Sequence, residues 1–116
     1  VYVTTPTEAK EFTILNGTNV SESYLDIGGA SLMALYIPTG YTAGNITFTA
    51  AASPNDAFRD VYDATGTQVT VTVAGADRVV ALTGTQLQAI SSLRYIKIKT
   101  ASNVNADRTI KVILKG

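Results

Sequence analysis

Polar and apolar residues alternate along this chain in short runs, with a break every few residues. The clearest stretch is Asn45 to Val73. In Asn45-Ile-Thr-Phe-Thr-Ala50, the residues Ile46, Phe48 and Ala50 fall on one side and Thr47 and Thr49 on the other. That period of two is the pattern of a half-buried strand. Ser53-Pro54-Asn55-Asp56 then interrupts the run with residues that favour turns. Phe58 to Asp63 is a second β-run. Asp63-Ala-Thr-Gly66 fits a hairpin loop with Gly66 in the left-handed region. Beyond it Val69, Val71 and Val73 face inward while Thr70 and Thr72 face out.

The flanks repeat the pattern. Phe12 and Ile14 alternate with Thr13 and Leu15 before an Asn16-Gly17 turn. Tyr24 to Ile27 is a short strand closed by Gly28-Gly29. Leu32-Met-Ala-Leu-Tyr-Ile37 is apolar at every position, which predicts a strand buried on both faces. Arg78 to Leu82 is a further strand after the Ala74-Gly75-Ala76-Asp77 turn. From Thr83 to Ser92 the alternation stops, and Thr85 is expected to cap one short helical turn carrying Leu87 and Ile90. Ile96 and Ile98 alternate with Tyr95, Lys97 and Lys99. Ala101 to Asp107 reads as a polar loop. The last strand sets Ile110, Val112 and Leu114 against Lys111, Ile113 and Lys115. Val1 to Thr7, with Pro6 lacking a backbone donor, reads as an extended N-terminal arm (residues 1–7), able to add itself to a neighbour's sheet. Residues 8–116 then form a single domain. About eight or nine short strands with turns between them predict an all-β fold, an antiparallel β-sandwich.

Composition narrows what such a domain can do. The 116 residues suit one domain. There is no Cys and no His, which removes thiol nucleophiles, Cys/His zinc sites and imidazole bases. Nine basic and nine acidic residues cancel, and charged residues are only 16% of the chain. Low charge suits a protein packed against neighbours, although Thr and Ser can equally supply the polarity of a free surface. Together with the two-sided apolar strand, it predicts a homo-oligomer. Nucleic acid is not an expected partner, because net charge is zero and only Tyr95 is interleaved with the basic residues. A membrane is not expected either: no apolar run nears the ~20 residues of a span, and Val1 to Pro6 lacks the basic and hydrophobic regions of a leader.

Candidate chemistry is sparse. Asp60 and Asp63 are three apart, which on a strand sends them to opposite faces, and ordinary pairing with Arg59 or Arg78 accounts for them. The spaced ligands of a calcium loop are missing. A Ser or Thr nucleophile would lack an activating base. Gly28-Gly29 has no following Lys of a phosphate loop. The expectation is therefore a non-enzymatic protein with no cofactor and no metal. Asn16-Gly17-Thr18, Asn19-Val20-Ser21 and Asn45-Ile46-Thr47 match the glycosylation triplet. Among the six tyrosines, Tyr41 and Tyr62 are candidates for stacking on a sugar ring, while Tyr36 and Tyr62 also fit the margin of the core with wet hydroxyls. Basic residues gather near the C-terminus. Lys97 and Lys99 share one strand face and Lys111 and Lys115 another, so the four would form one stripe if their strands were neighbours.

Several segments follow one another in a recognisable order: Leu25-Asp-Ile-Gly-Gly29, the apolar run to Pro38, Ile46-Thr-Phe-Thr-Ala50, Val61-Tyr-Asp63 with Gly66 and Val69-Thr-Val71, Arg94-Tyr-Ile-Lys97, and Asp107-Arg-Thr-Ile110. From Ser21 to Lys115 this pattern resembles small virion proteins of tailed bacteriophages. The resemblance implies a capsid decoration or cement protein at the capsid surface of the virion. Such a protein would bind the major capsid protein or other virion proteins as an oligomer, a trimer being one arrangement. The contact candidates are then Val1, Tyr2 and Val3 of the arm with Lys97, Lys99, Lys111 and Lys115. Leu25 to Phe58 is also similar to the opening of discoidin-like galactose-binding sandwiches, with Ser53-Pro54-Asn55-Asp56 in place of that family's second turn. That likeness implies a jelly-roll architecture. It leaves a tail or baseplate carbohydrate-binding module as the alternative role.

Overall fold

Nine strands and one helix form among the described residues of the computed structural model, which are 7–28 and 30–115. Their pairing nests like a long hairpin rolled up on itself. The first strand, β1 (Thr7–Ile14), pairs with the last, β9 (Arg108–Lys115). Next inward, β2 (Leu25–Asp26) pairs with β8 (Tyr95–Thr100), and then β3 (Ser31–Ile37) with β7 (Arg78–Ala81). Innermost, β4 (Ile46–Ala51) pairs with β5 (Arg59–Asp60) and β6 (Thr70–Val71), which share its free edge. All these pairs are antiparallel. Apart from β4, β5 and β6, which stay together, successive strands alternate between two sheets, β1-β9-β3-β7 and β2-β8-β4-β5 with β6 also on β4. This is the jelly-roll form of the expected β-sandwich.

The core lies between the sheets and follows from the alternation. Phe12, Ile14, Leu35, Ile110 and Val112 of the first sheet meet Ile46, Phe48, Ile96 and Ile98 of the second, all nearly or fully buried. Val69, Val71 and Val73 are buried too, as their spacing predicts. The β-run at Phe58 to Asp63 is more broken than its sequence suggests. Only Arg59 and Asp60 form a strand, while Val61 N–H still donates to the Phe48 carbonyl (3.0 Å).

Several local expectations need correction. The strand Leu32 to Ile37 is not buried on two faces. Leu32, Leu35 and Ile37 enter the core, but Tyr36 is 44% exposed. A register shift between Leu32 and Ala34 leaves Met33 as an extra residue, so both Leu32 and Leu35 point inward although they are an odd number apart. A β-bulge thus lets a run without alternation serve one core face. The helix α1 (Gly84–Ser91) is capped by Thr83, not Thr85. Thr83 Oγ1 accepts from Gln86 N–H (3.3 Å) and Gln86 Oε1 accepts from Thr83 N–H (2.8 Å), the reciprocal capping box. Ile90 is fully buried and Leu87 partly so. Within the loop expected to be polar, Val104 is buried and tied by backbone bonds to Gly17 and Thr18. Thr7, placed by sequence in the arm, starts β1 opposite Lys115. Val1, Tyr2 and Val3 lie outside the described residues.

Turns at the ends of the sandwich are held by specific side chains. Gly40 has φ +80°, and a Cβ there would come within 2.9 Å of Arg108 Nη1. Arg108 donates to the Thr39 carbonyl and to Asn105 Oδ1 (2.9 Å), so it clamps two loops over that glycine. Asn45 and Asn19, both in glycosylation triplets, hold backbone instead: Asn45 Oδ1 accepts from Val73 N–H (3.0 Å), and Asn19 Nδ2 donates to the Thr100 carbonyl (3.4 Å).

Candidate functional site

The two sheets put their outward residues on opposite sides of the molecule, and this decides which basic residues can act together. Lys97 and Lys99 lie on β8 in one sheet, and Lys111 and Lys115 lie on β9 in the other. The single lysine stripe therefore does not form. Each pair has its own surroundings.

On the second sheet the outward residues build an aromatic–cation cluster. Tyr24 and Phe58 stack with ring centroids 6.1 Å apart, and Tyr24 meets Tyr95 edge-on at 5.6 Å. The Arg94 guanidinium lies 5.1 Å from the Tyr95 ring centroid and Lys97 Nζ 4.8 Å from that of Phe58. Asp26 holds Arg94 by two bonds, 3.0 and 3.2 Å. This pairing lowers the Asp26 pKa and raises that of Arg94. Lys99 is 3.8 Å from Asp60, not the Arg59 or Arg78 that sequence offered as partners for the acids. Most of this chemistry is satisfied internally. Its rings face one another and its cations already lie over rings or beside acids. Beside it, Thr49 faces away from the core yet is 7% exposed, and its Oγ1 has no hydrogen-bond partner.

On the first sheet the outward side of β3 and β7 is largely apolar, while β1 and β9 present Glu11, Thr13, Thr109, Lys111 and Lys115. Register puts Tyr36 opposite Val79, and Ala34 opposite Ala81 on one side and Ile113 on the other. Tyr36 is 44% and Val79 55% exposed. Lys111 and Lys115, both exposed, lie on the interior strand β9, with Lys111 between Tyr36 on β3 and Glu11 on β1. The two sheet edges differ. On β1, Glu8 and Lys10 are exposed and paired with each other (2.9 Å), which blunts that edge. On β7 the edge residues after Arg78 are Val79, Val80 and Ala81, with no such charges.

The two tyrosines singled out for sugar stacking part company. Tyr41 is buried, and its hydroxyl donates to the Gly44 carbonyl at 2.6 Å. Burial pushes its pKa up to about 12. It is therefore a structural residue with no face to offer, because the apolar ring fills the loop end of the core. Tyr62 is 56% exposed and lines a cavity of ≈ 350 Å³ between the Asp63–Gly66 turn and α1. Asp63 does not reach an arginine. Its Oδ1 accepts from Thr65 N–H (2.9 Å), Thr65 Oγ1 (2.7 Å) and Thr67 N–H (3.0 Å), which closes the turn and lowers its pKa. The remaining wall is Thr85, Gln88, Ala89 and Ser92. Sequence reasoning had no route to these helical neighbours, since nothing local signals that α1 folds beside residues 62–65.

No cluster of three or more metal-ligating side chains occurs among the described residues. No helix among them is long and apolar enough to cross a membrane.

This architecture has a known counterpart. A crystal structure of the SPBc2 prophage-derived protein YomS is similar over 100% of both chains, with TM-score 0.56 and 19% sequence identity. At that identity the likeness establishes a common fold. No family model matches the chain, and no curated protein matches it.

Proposed function

We propose that this protein is a non-enzymatic structural component of a bacteriophage particle, a decoration or cement protein that binds the capsid shell. The observation that carries the reading is the outward face of the β1-β9-β3-β7 sheet. On its β3–β7 half it is apolar and exposed at Tyr36 and Val79, and Lys111 and Lys115 of β9 stand beside that half. Such a face suits burial against another protein, with the lysines beside it to orient acidic partner groups. The fold shared with a prophage-derived protein supports a phage setting. The occupant we assign to the face is the major capsid protein. Lys97 and Lys99 lie on the opposite face, so they fall outside this contact.

The β7 edge favours self-association as well, because after Arg78 its residues Val79, Val80 and Ala81 carry no charge and such an edge can pair with a second copy. We assign the protein a homo-oligomeric state, a trimer being the form that fits capsid three-fold positions. Light scattering of the purified chain is expected to give a multiple of the protomer mass, and a sharp monomer at working concentration would count against it. The deciding measurement for location is density in an intact particle. Density over the shell at three-fold positions is expected. Density confined to the tail would remove the decoration reading in favour of a tail module.

A further inference from the structure

We propose that the groove between the Asp63–Gly66 turn and α1 binds a neutral, polyhydroxylated sugar, with Tyr62 as the stacking platform. This goes beyond the shell-binding role and does not depend on it. The cavity holds ≈ 350 Å³, at the lower end of the ~300–1,000 Å³ common for small-molecule sites. Its one aromatic wall, Tyr62, is the most exposed large apolar side chain among the described residues. Around that ring stand groups that match hydroxyls as donors or acceptors: the Asp63 carboxylate, Thr65, Thr85, Gln88 and Ser92. An apolar ring face beside several convergent hydrogen-bonding groups is the complement of a pyranose, which has one apolar face and a polar perimeter.

Charge selects a neutral ligand. No Lys or Arg lines the groove among the described residues, while Asp63 does. A phosphate, sulfate or uronic acid would meet a carboxylate and no cation. The aromatic–cation cluster on the second sheet is the weaker platform, because Tyr24, Phe58 and Tyr95 already pack on one another beneath Arg94 and Lys97.

The groove is held in shape before any ligand arrives. The three bonds to Asp63 Oδ1 fix the turn. The capping box fixes the start of α1, and Gln86 Nε2 donates to the Thr70 carbonyl, tying the helix to β6 (2.6 Å). Such preorganisation lowers the entropy cost of binding. A second cavity of ≈ 210 Å³ shares Asp63 and Thr85 and runs on along Thr67, Gln68 and Thr83. The site therefore has the length for more than one ring, which favours an oligosaccharide over a free monosaccharide.

The test is a titration of the full chain with neutral hexose tetrasaccharides, their uronic-acid-containing counterparts and free hexoses, the tetrasaccharides being chosen on a glycan array. Binding is expected for a neutral tetrasaccharide, weaker for the free hexose and absent for the acidic series. Tyr62→Ala is expected to weaken it roughly tenfold, because a stacked ring face is lost, and Tyr62→Phe to retain it. Tyr24→Ala should leave it unchanged. The proposal fails if no neutral glycan binds, if the acidic series binds better, or if Tyr62→Ala binds like the parent. Loss on Tyr24→Ala would move the site to the second sheet and overturn it equally. Since Tyr62 is exposed, an unchanged thermal melt of Tyr62→Ala separates lost binding from lost folding. Failure of shell binding leaves all of these outcomes unaffected.

Discussion

At the scale of single residues, two side chains show how a polar atom is handled inside this sandwich. Tyr41 uses its hydroxyl, which donates to the Gly44 carbonyl. Tyr41→Phe removes that bond and leaves a carbonyl short of a partner, at a cost of about 1 kcal/mol near neutral pH. Its titration makes a second prediction. In the folded chain the phenol stays neutral up to about 12, whereas an unfolded tyrosine ionises near ~10. Between those values the unfolded chain sheds a proton that the folded chain keeps, so stability falls as pH rises through that window. No loss from this source occurs below it. Urea melts of the parent and Tyr41→Phe should therefore converge as pH is raised above ~10, the other tyrosines being common to both proteins. Thr49 is the opposite case, a buried hydroxyl with no partner. Thr49→Val keeps the branched shape and deletes the unpaired group. Its urea midpoint is expected to stay level or rise, by up to about 1 kcal/mol. A clear destabilisation would mean that the hydroxyl has a partner on that face.

At the scale of elements, the alternation of polar and apolar residues was a dependable guide wherever each strand has one wet and one dry face. It located Ile46 and Phe48, Ile96 and Ile98, and Ile110, Val112 and Leu114 on the core side, all buried. It misled at Leu32 to Ile37, where a bulge at Met33 resets the phase and no residue type announces the reset. The helix was legible, but its start was not. Both Thr83 and Thr85 have a glutamine three residues later, Gln86 and Gln88, so the local pattern does not choose between them. The box forms at Thr83, whose Gln86 also reaches the Thr70 carbonyl and so acts between elements as well. Gln86→Ala is expected to cost about 1–2 kcal/mol in equilibrium unfolding, more than a cap bond alone, since it also frees α1 from β6. Gln86→Glu should keep the bond to Thr83 N–H and lose the donor to Thr70, and so fall between the two.

At the scale of the whole molecule, nested pairing sets what is near what. It brings the first and last strands together, with Thr7 opposite Lys115. It also separates Lys97 and Lys99 from Lys111 and Lys115 onto opposite faces. The proposed shell contact and the proposed sugar groove draw on different side chains. A Tyr36→Ser, Val79→Ser double variant is expected to lose binding to purified shells while its sugar titration is unchanged, because substitutions without shared partners act independently. Coupled loss of both activities would show that the two surfaces are one site.

The amino-acid order alone determined the fold class, most strand positions and the core-facing residues. These depend on local alternation and turn chemistry, which act over a few neighbours. It also determined the absence of Cys and His chemistry. Only the tertiary structure decided that Tyr41 is buried while Tyr62 is open, that the lysines divide into two pairs, and that Asp63 meets Thr85 and Gln88 across a groove. Those facts depend on which distant strands pair and on where α1 packs. Pairing between distant strands is set by the collective packing of both sheets rather than by any residue's neighbours in the chain.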